Sequence, residues 1–378
     1  MRGKRKGGVI LALVLTLIFS SLPVLEGENF PRNSSSVIWP RECLVSLFDE
    51  LNSQDLGGRF LFGRIDLFQT KAIPPPAEED ILGREEVRAA VIDSGLGGLS
   101  IMAEAASRLE KTRFYRRANL VFFNALFSRE KGYNALPTRE ARLEMLDKVL
   151  ASLEKKFNPD LILIGCNTLS TLYGSTLFSH KANIPVFDIV QPGVNLLSQE
   201  LRKNPDAVAL ILATPITISE DTHRQALLRL GFSPDRIFVQ ACPELELFIE
   251  KDPEGEDTGL LLSGFLEEGL QKVAKPWPPV IISLNCTHYE YSRPLWEKTA
   301  GESGLPSFVI ISPNSSLLDL WLKPELRPRF EKTTVKATVF SRVEIEEKTR
   351  KNIAALLRKI SPEVAEALLN YVLDPNLF

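Results

Sequence analysis

The chain has 378 residues and a formal net charge of −3, with 44% hydrophobic and 25% charged residues. This ordinary globular composition excludes a disordered, a collagen-like or a polytopic membrane protein. The chain lacks the basic excess of a dedicated nucleic-acid binder, so we expect no nucleic-acid partner. Its length predicts two lobes with appendages rather than one core.

The N-terminus has the layout of a secretory signal peptide. Basic residues at positions 2, 4, 5 and 6 precede the apolar run Val9–Leu25. We therefore predict a signal peptide over residues 1–27 and an exported, periplasmic or extracytoplasmic protein. The alternative is an uncleaved anchor, in which case membrane association would come only through this segment. Residues 28–85 are predicted to be an N-terminal extension that ends in the Pro-rich linker 73–80.

From residue 87 onward, short apolar runs alternate with helical periodicity. Eight runs of four to six residues predict buried strands, at Val87–Ile92, Leu120–Phe123, Leu161–Ile164, Pro185–Ile189, Val208–Leu212, Ile237–Gln240, Val280–Leu284 and Phe308–Ile311. Helices are predicted over 143–157, over 219–230 and over the tail 344–373, with a break near Ser361-Pro362. Strands that alternate with helices predict an α/β fold with mainly parallel sheets flanked by helices.

A weak internal repeat indicates two similar lobes. Ser94 and Thr214 each end a strand and are separated by 120 positions; Cys166 and Cys286, each followed closely by a threonine, have the same separation. We therefore predict two pseudo-symmetric lobes with the active site between them, at the carboxyl ends of the strands. Residues 86–190 and about 307–378 are assigned to the first lobe, and residues 191–306 to the second.

Cys166 and Cys286 are predicted to lie where helices begin, and backbone N–H groups there lower the pKa of a thiol. Two such thiols that flank one small molecule could remove a proton from one face of a carbon centre and return one to the other face. A cysteine hydrolase would need only one of them. Cys43 and Cys242 lack polar flanks and are interpreted as buried hydrophobic residues.

The loop 93–99, with the sequence Asp-Ser-Gly-Leu-Gly-Gly-Leu, follows a predicted strand and opens a helix. Its glycines would let the main chain approach an anion such as a carboxylate or a phosphate. The loop has neither the G-x-G-x-x-G spacing nor the lysine of a nucleotide-binding loop. With only three histidines in the chain, we expect no metal site.

Three segments closely resemble the signature motifs of the cofactor-independent glutamate racemases of the aspartate/glutamate racemase superfamily. They are Val91–Leu99, Gly165–Thr168 and Cys286–Tyr289. Segments 213–218 and Ala241–Glu250 look like two further family segments in the family's order. The resemblance covers roughly residues 87–340.

The resemblance implies a two-base mechanism without a cofactor, a small amino-acid substrate and frequent homodimers. It implies Cys166 and Cys286 as the two catalytic thiols, with Asp93 assisting the first and His288 the second. It also implies substrate binding by Ser94, Asn167, Thr168, Thr214 and Thr287. The usual family member is cytoplasmic and supplies D-glutamate for peptidoglycan synthesis in cell-wall biogenesis.

Two positions depart from the family pattern and leave the substrate open. The family's Pro-Tyr-Gly element corresponds at best to Gly132-Tyr133-Asn134, and Asn285 replaces the glycine before the second cysteine. We predict a racemase acting on glutamate or a related acidic amino acid. The alternatives are an aspartate racemase or another two-cysteine epimerase of the superfamily, and a non-catalytic two-lobed exported amino-acid-binding protein.

Overall fold

A computed structural model of the chain describes residues 78–128 and 132–378. The predicted signal peptide and nearly all of the predicted extension lie outside these residues. In the described part of the chain, none of the helices combines the length and the apolar character that a membrane crossing requires.

The first sheet has six strands, and all of its paired strands are parallel. They are β1 (Glu86–Asp93), β2 (Arg117–Asn124), β3 (Leu161–Ile164), β4 (Val186–Asp188), β9 (Thr334–Ser341) and β10 (Val372–Leu373), in the order β10-β9-β2-β1-β3-β4. The strands β1 and β3 are almost entirely buried. This burial on both faces explains why they read as continuous apolar runs.

The second sheet has four parallel strands. They are β5 (Val208–Ala213), β6 (Ile237–Ala241), β7 (Val280–Asn285) and β8 (Phe308–Ile311), in the order β6-β5-β7-β8. The structure therefore puts Phe308–Ile311 in the second sheet, although we assigned the chain from about residue 307 to the first lobe. The chain returns to the first sheet only at β9.

Thirteen helices connect and cover the strands of the described residues. They are α1 (Glu78–Gly83), α2 (Leu99–Thr112), α3 (Arg139–Phe157), α4 (Asn167–Tyr173), α5 (Val190–Lys203), α6 (Pro215–Ser219), α7 (Thr222–Arg229), α8 (Leu245–Lys251), α9 (Glu256–Gln271), α10 (Arg293–Glu302), α11 (Asn314–Leu318), α12 (Glu347–Arg358) and α13 (Pro362–Leu369). Single turns of 3₁₀ helix lie at Gly132–Ala135, Phe178–His180 and Pro234–Arg236, with a longer one at Thr287–Ser292.

The ends of α3 follow from local chemistry. The Thr138 side chain accepts a hydrogen bond from the backbone N–H of Ala141 at 3.2 Å and so caps the N-terminus. At the other end, Asn158 adopts a left-handed conformation with φ 43°, and Pro159 follows it. The helix therefore ends where the Asn-Pro pair predicts.

The α/β prediction is confirmed, and all eight predicted runs form strands. The sequence analysis missed β9, which pairs with β2. Its side chains are buried at positions 337, 339 and 341 and exposed or partly buried at the others. The tail also differs from the prediction, since Val372–Leu373 pairs with β9 instead of continuing a helix. Both errors concern strands near the edge of the first sheet, where apolar runs are short.

Each sheet has one strand at which the order of strands reverses. In the first sheet β1 lies between β2 and β3, and in the second sheet β5 lies between β6 and β7. In open parallel sheets a crevice forms at the carboxyl ends of such neighbouring strands. The fold therefore offers two candidate crevices, one for each half of the repeat.

His223, at the start of α7, gives a prediction about stability. The imidazole is 3% exposed, and burial lowers its pKa to about 4 from the usual 6.5. The folded protein thus favours the neutral ring. As the pH falls below 6.5, the unfolded chain binds a proton that the folded protein does not, so the free energy of unfolding decreases. Between pH 7.5 and pH 5 we expect His223 to account for about 2 kcal/mol of lost unfolding free energy.

The measurement is guanidinium unfolding of the wild type and of His223→Gln at both pH values. The effect of the substitution on packing is common to both conditions, so the difference between the two pH dependences isolates the proton. An identical pH dependence in the two proteins would contradict the prediction.

Candidate active site

The candidate site residues lie at the carboxyl ends of the strands that flank each reversal point. Asp93 ends β1 and Ser94 follows it, while Cys166 precedes α4 just after β3. Thr214 and Cys286 directly follow β5 and β7. The 120-residue repeat therefore relates β1 to β5 and β3 to β7, the two neighbouring strands at which each sheet reverses its order.

One cavity of about 570 Å³ collects these residues from both sheets. All nine residues singled out from the sequence line it, namely Asp93, Ser94, Cys166, Asn167, Thr168, Thr214, Cys286, Thr287 and His288. Both thiols thus face the same space. Their catalytic and binding roles remain predictions.

The first thiol belongs to Cys166 and is 6% exposed. Its Sγ lies 3.2 Å from the Ser94 hydroxyl oxygen. Burial, together with the negative charge of Asp93, raises the pKa of this thiol above its usual range. We expected the start of a helix to lower that pKa, but burial outweighs the seven-residue helix α4.

Asp93 links two of the three signature segments, Val91–Leu99 and Cys286–Tyr289, through a hydrogen bond. Its carboxylate is 1% exposed, and Oδ2 accepts a hydrogen bond of 2.8 Å from the Thr287 hydroxyl. Burial raises the pKa of Asp93, although the charge of His288 and the hydrogen bond from Thr287 act in the opposite direction. A carboxyl group with a raised pKa beside a thiol can hold a proton and return it.

The second thiol lies at the end of a chain of three groups. Cys286 Sγ is 3.6 Å from His288 Nδ1, and His288 Nε2 is 2.7 Å from Glu250 Oε1. Burial raises the pKa of Cys286, and the hydrogen bond with His288 opposes that rise. Burial alone would lower the pKa of His288, yet its hydrogen bonds with Cys286 and Glu250 raise it well above its usual value.

Glu250 is a site residue that the sequence analysis named only as the end of a family segment. Its Oε1 also accepts a hydrogen bond of 2.7 Å from the backbone N–H of Leu96 in the glycine loop. One carboxylate oxygen therefore fixes both the imidazole and the loop. Because Glu250 contacts the thiol only through His288, we treat it as a positioning residue.

Glu250→Gln is expected to lower the pKa of His288. The amide can still accept the hydrogen bond, but it removes the negative charge that favours the imidazolium. NMR titration of the His288 ring would measure the change. Glu254→Gln is the control, because Glu254 is exposed and lies four residues further along the chain. An unchanged His288 titration in Glu250→Gln would contradict this account of the shift.

The glycines of the loop serve a different contact from the one we predicted. A Cβ atom on Gly97 would lie 2.2 Å from Thr287 Oγ1, and one on Gly95 would lie 2.8 Å from Glu250 Oε1. Residues that follow strands of the second sheet thus contact the main chain of the loop. Thr287 and His288 fill the space in front of Gly97. The close approach needs glycine there, as predicted. The groups that approach the loop belong to the protein itself, and one of them is the Glu250 carboxylate, which accepts the hydrogen bond from Leu96.

Three threonine hydroxyls form a cluster beside the first thiol's helix. Thr168 Oγ1 lies 2.8 Å from Thr214 Oγ1 and 3.2 Å from Thr217 Oγ1, and the last two are 3.0 Å apart. Asn167 is 2% exposed, and neither atom of its amide group has a hydrogen-bond partner. An unpartnered buried amide at a cavity wall costs free energy unless a ligand satisfies it. This corner can therefore hold the polar groups of a small molecule.

The sequence analysis missed two charged residues of the cavity wall, Arg142 from α3 and Glu246 from α8. Arg142 lies one residue before the predicted helix 143–157, and Glu246 lies within the family segment Ala241–Glu250, but neither was singled out there. Tyr133 and Asn134, proposed as the counterpart of the family's Pro-Tyr-Gly element, line the same cavity. Burial raises the pKa of Tyr133, whose hydroxyl has no hydrogen-bond partner in the part of the chain that the structure describes.

Comparisons with known proteins agree with the motifs. No family model matches the chain. A glutamate racemase of Clostridium botulinum is 29% identical over 204 residues, which are 53% of this chain and 70% of that protein. A glutamate racemase of Aquifex pyrophilus is 25% identical over 213 residues, which are 56% of this chain and 75% of the relative.

Solved structures share the fold. The glutamate racemase isoform RacE1 of Bacillus anthracis superposes with a TM-score of 0.54 at 19% identity and covers 72% of this chain and 94% of its own. The glutamate racemase of Campylobacter jejuni gives a TM-score of 0.52 at 20% identity, with 72% and 98% covered. At these identities the likeness concerns the fold alone, and it confirms two parallel sheets flanked by helices.

These relatives overturn the predicted location. They are glutamate racemases, and the family resemblance gives the cytoplasm as the usual place of such enzymes. The prediction of an exported, periplasmic or extracytoplasmic protein is therefore wrong, and so is its membrane-anchored alternative. The error arose because that prediction used only the composition of residues 1–27, which lie outside the described residues.

Proposed function

We propose that this chain, which is related to the glutamate racemases of the aspartate/glutamate racemase superfamily, interconverts L- and D-glutamate with its two thiols and no cofactor. One observation carries the proposal: Cys166 follows a strand of the first sheet, Cys286 follows a strand of the second, and both line one cavity. A carbon centre between two opposed acid–base groups can be inverted by removing its proton on one side and adding a proton on the other.

The proton balance assigns complementary states to the two thiols. In one direction the Cys286 thiolate removes the Cα proton and becomes a thiol, while the Cys166 thiol delivers its proton to the opposite face and becomes a thiolate. The other direction reverses both transfers. Each turnover thus exchanges the protonation states of the two cysteines, and no oxidant or reductant is needed.

Different neighbours support the two thiolates. The imidazolium of His288, held by Glu250, stabilises a thiolate on Cys286. A thiolate on Cys166 would be opposed by a charged Asp93, so that carboxyl must be protonated when Cys166 is the base. The raised pKa of Asp93 supports this assignment. Because burial raises the pKa of both thiols, we infer that the substrate ammonium supplies the positive charge that favours the thiolate form.

The substrate's amino and carboxylate groups have suitable partners at the cavity wall. We assign them to Asn167 and to the hydroxyls of Ser94, Thr168, Thr214 and Thr287. Thr217 completes the threonine cluster. Hydroxyls and amides both donate and accept hydrogen bonds, so they can hold a zwitterion without titrating near the two thiols.

The wider role follows from the same proposal. The enzyme would supply D-glutamate for peptidoglycan, as the family does, and it would form a homodimer. Light scattering on the purified protein measures its mass, and a monomer at working concentrations would contradict the homodimer alone.

The function is tested by following the α-proton of L-glutamate in D₂O with reduced enzyme. We expect the NMR signal of the α-proton to disappear and the optical activity to vanish at the same time. The double variant Cys166→Ala/Cys286→Ala is the control and should do neither. If the wild type binds glutamate in calorimetry but exchanges no proton, and no other amino acid is exchanged, the racemase proposal fails.

A further inference from the structure

Arg142 is a charged residue of the cavity wall that forms no ion pair among the residues the structure describes. It extends from α3 and lines the cavity beside the turn Gly132–Ala135. The one hydrogen bond of its guanidinium among the described residues runs from Nη2 to the carbonyl oxygen of Leu136 at 3.2 Å. Nε is buried and has no hydrogen-bond partner.

No carboxylate of the described residues pairs with Arg142. An ion pair requires N···O of 4.0 Å or less, and the guanidinium has none in residues 78–128 and 132–378. By contrast Arg139, one turn earlier in α3, pairs with Glu220 at 3.0 Å. A guanidinium stays charged at any pH a protein tolerates, so a partly buried one without a counter-ion is costly.

Four carboxyl groups line the cavity, and none of them forms an ion pair with Arg142 within residues 78–128 and 132–378: Asp93, Glu244, Glu246 and Glu250. Asp93 accepts from Thr287, and Glu250 accepts from His288 and Leu96. Glu246 lines the cavity from the second sheet's side, and its Oε2 is buried without a partner. Burial raises the pKa of Glu246, and no ion pair joins its carboxyl group to Arg142 in the described part of the chain.

We propose that Arg142 is the specificity-determining residue of this site and binds the distal carboxylate of the substrate's side chain. The inference rests on the proposed racemase function and deepens it, because it limits the substrate to amino acids with an acidic side chain. The hydroxyl and amide groups near Cys166 suffice for the amino and α-carboxylate groups. The guanidinium is then left for the third charged group of the substrate, which it can bind through two parallel N–H donors.

The test compares glutamate with glutamine, which has the same length but a neutral distal amide. In Arg142→Gln we expect the KM for glutamate to rise by about 100-fold with a smaller change in kcat, since a charged hydrogen-bonded partner is lost. The preference for glutamate over glutamine in kcat/KM should fall by a similar factor. Arg142→Lys, which keeps the charge but loses the planar fork, should recover part of the preference.

Lys148→Gln is the matched control, because it removes a cation from the same helix. Lys148 is exposed and pairs with Glu144 at 2.8 Å outside the cavity, so its kinetics should stay within about two-fold of the wild type. Circular dichroism establishes that each variant is folded. If Arg142→Gln does not fold, the comparison of Arg142→Lys with the wild type decides, and a drop in the glutamate preference of about ten-fold is expected.

The outcomes separate this inference from the function itself. An equal loss of kcat/KM for glutamate and glutamine would assign Arg142 to the α-carboxylate or to structure and overturn the inference. An unchanged glutamate preference in both Arg142 variants would overturn it as well. In these two cases the wild type still racemises. A wild type that exchanges no amino acid contradicts the proposed function, and the inference then falls with it.

Discussion

Replacing either of the two cavity cysteines by serine is expected to lower the racemisation of glutamate by about 10³-fold or more. A serine hydroxyl at Cys166 or Cys286 is far less acidic than a thiol, so it can neither serve as the base nor deliver the proton at a useful rate. Burial already raises the pKa of both thiols, and a serine hydroxyl at the same position would have a still higher pKa. Each single variant should therefore fail in both directions of the overall reaction.

The isotope pattern makes this prediction specific to two opposed bases. In Cys166→Ser, the remaining Cys286 can still remove the α-proton of one enantiomer and return deuterium to the same face. We expect slow exchange of that enantiomer without inversion, and in Cys286→Ser slow exchange of the opposite enantiomer. NMR of L- and D-glutamate in D₂O, each supplied separately, distinguishes these results.

Cys242→Ser is the control for loss of a thiol. Cys242 is fully buried and does not line the cavity, so this variant should keep most of the wild-type rate. Exchange of both enantiomers by one single-cysteine variant would contradict the opposed arrangement. So would a racemisation rate in Cys166→Ser or Cys286→Ser that equals the wild-type rate.

Gly97→Ala is expected to destabilise the fold by about 3 kcal/mol, the upper range for an overpacked buried site. The added Cβ would lie 2.2 Å from Thr287 Oγ1 and 2.7 Å from the backbone nitrogen of His288. Backbone atoms cannot rotate away as a side chain does, so the glycine loop and the Thr287–His288 segment must separate. That displacement would disturb the hydrogen bond from Thr287 to Asp93 and the position of His288.

The same variant should lose about 100-fold or more in racemisation, because a displacement of about 1 Å at a catalytic group has this cost. Guanidinium unfolding and the D₂O exchange assay measure the two effects. Gly301→Ala is the control, since a Cβ there meets nothing within 4 Å. It replaces glycine by a better helix former within α10, so we expect equal or slightly higher stability. Wild-type stability and activity in Gly97→Ala would contradict the close contact between the two motifs.

The residues of the candidate site could be predicted to lie together because each lies next to a strong local signal. Cys166 and Cys286 follow apolar runs that only a buried parallel strand explains, and their common 120-residue offset reflects the equivalence of β3 and β7. Asp93 and His288 belong to the same short motifs. In a parallel α/β sheet the carboxyl ends of neighbouring strands meet at one edge, so the order of residues along the chain already implies which of them share a crevice.

The edge of the first sheet was harder to predict. The strand β9 alternates between more and less buried side chains, and the short β10 is exposed, so neither gives a continuous apolar run. Their pairing depends on the flank of β2 and on β9 itself. An edge strand is stabilised by its neighbour as much as by its own composition, which is why a pattern within the segment did not reveal it.

The sequence by itself determined the fold class, the two thiols and the groups beside them in their motifs, because local apolar patterns and strand ends encode these features. Only the tertiary structure decided which distant groups enter the cavity. Glu250 becomes the partner of His288, and Arg142 and Glu246 line the cavity from two helices that belong to different parts of the chain. The pKa of each thiol was also decided there, since burial depends on the packing of both sheets and outweighs the effect of the helix at which Cys166 lies.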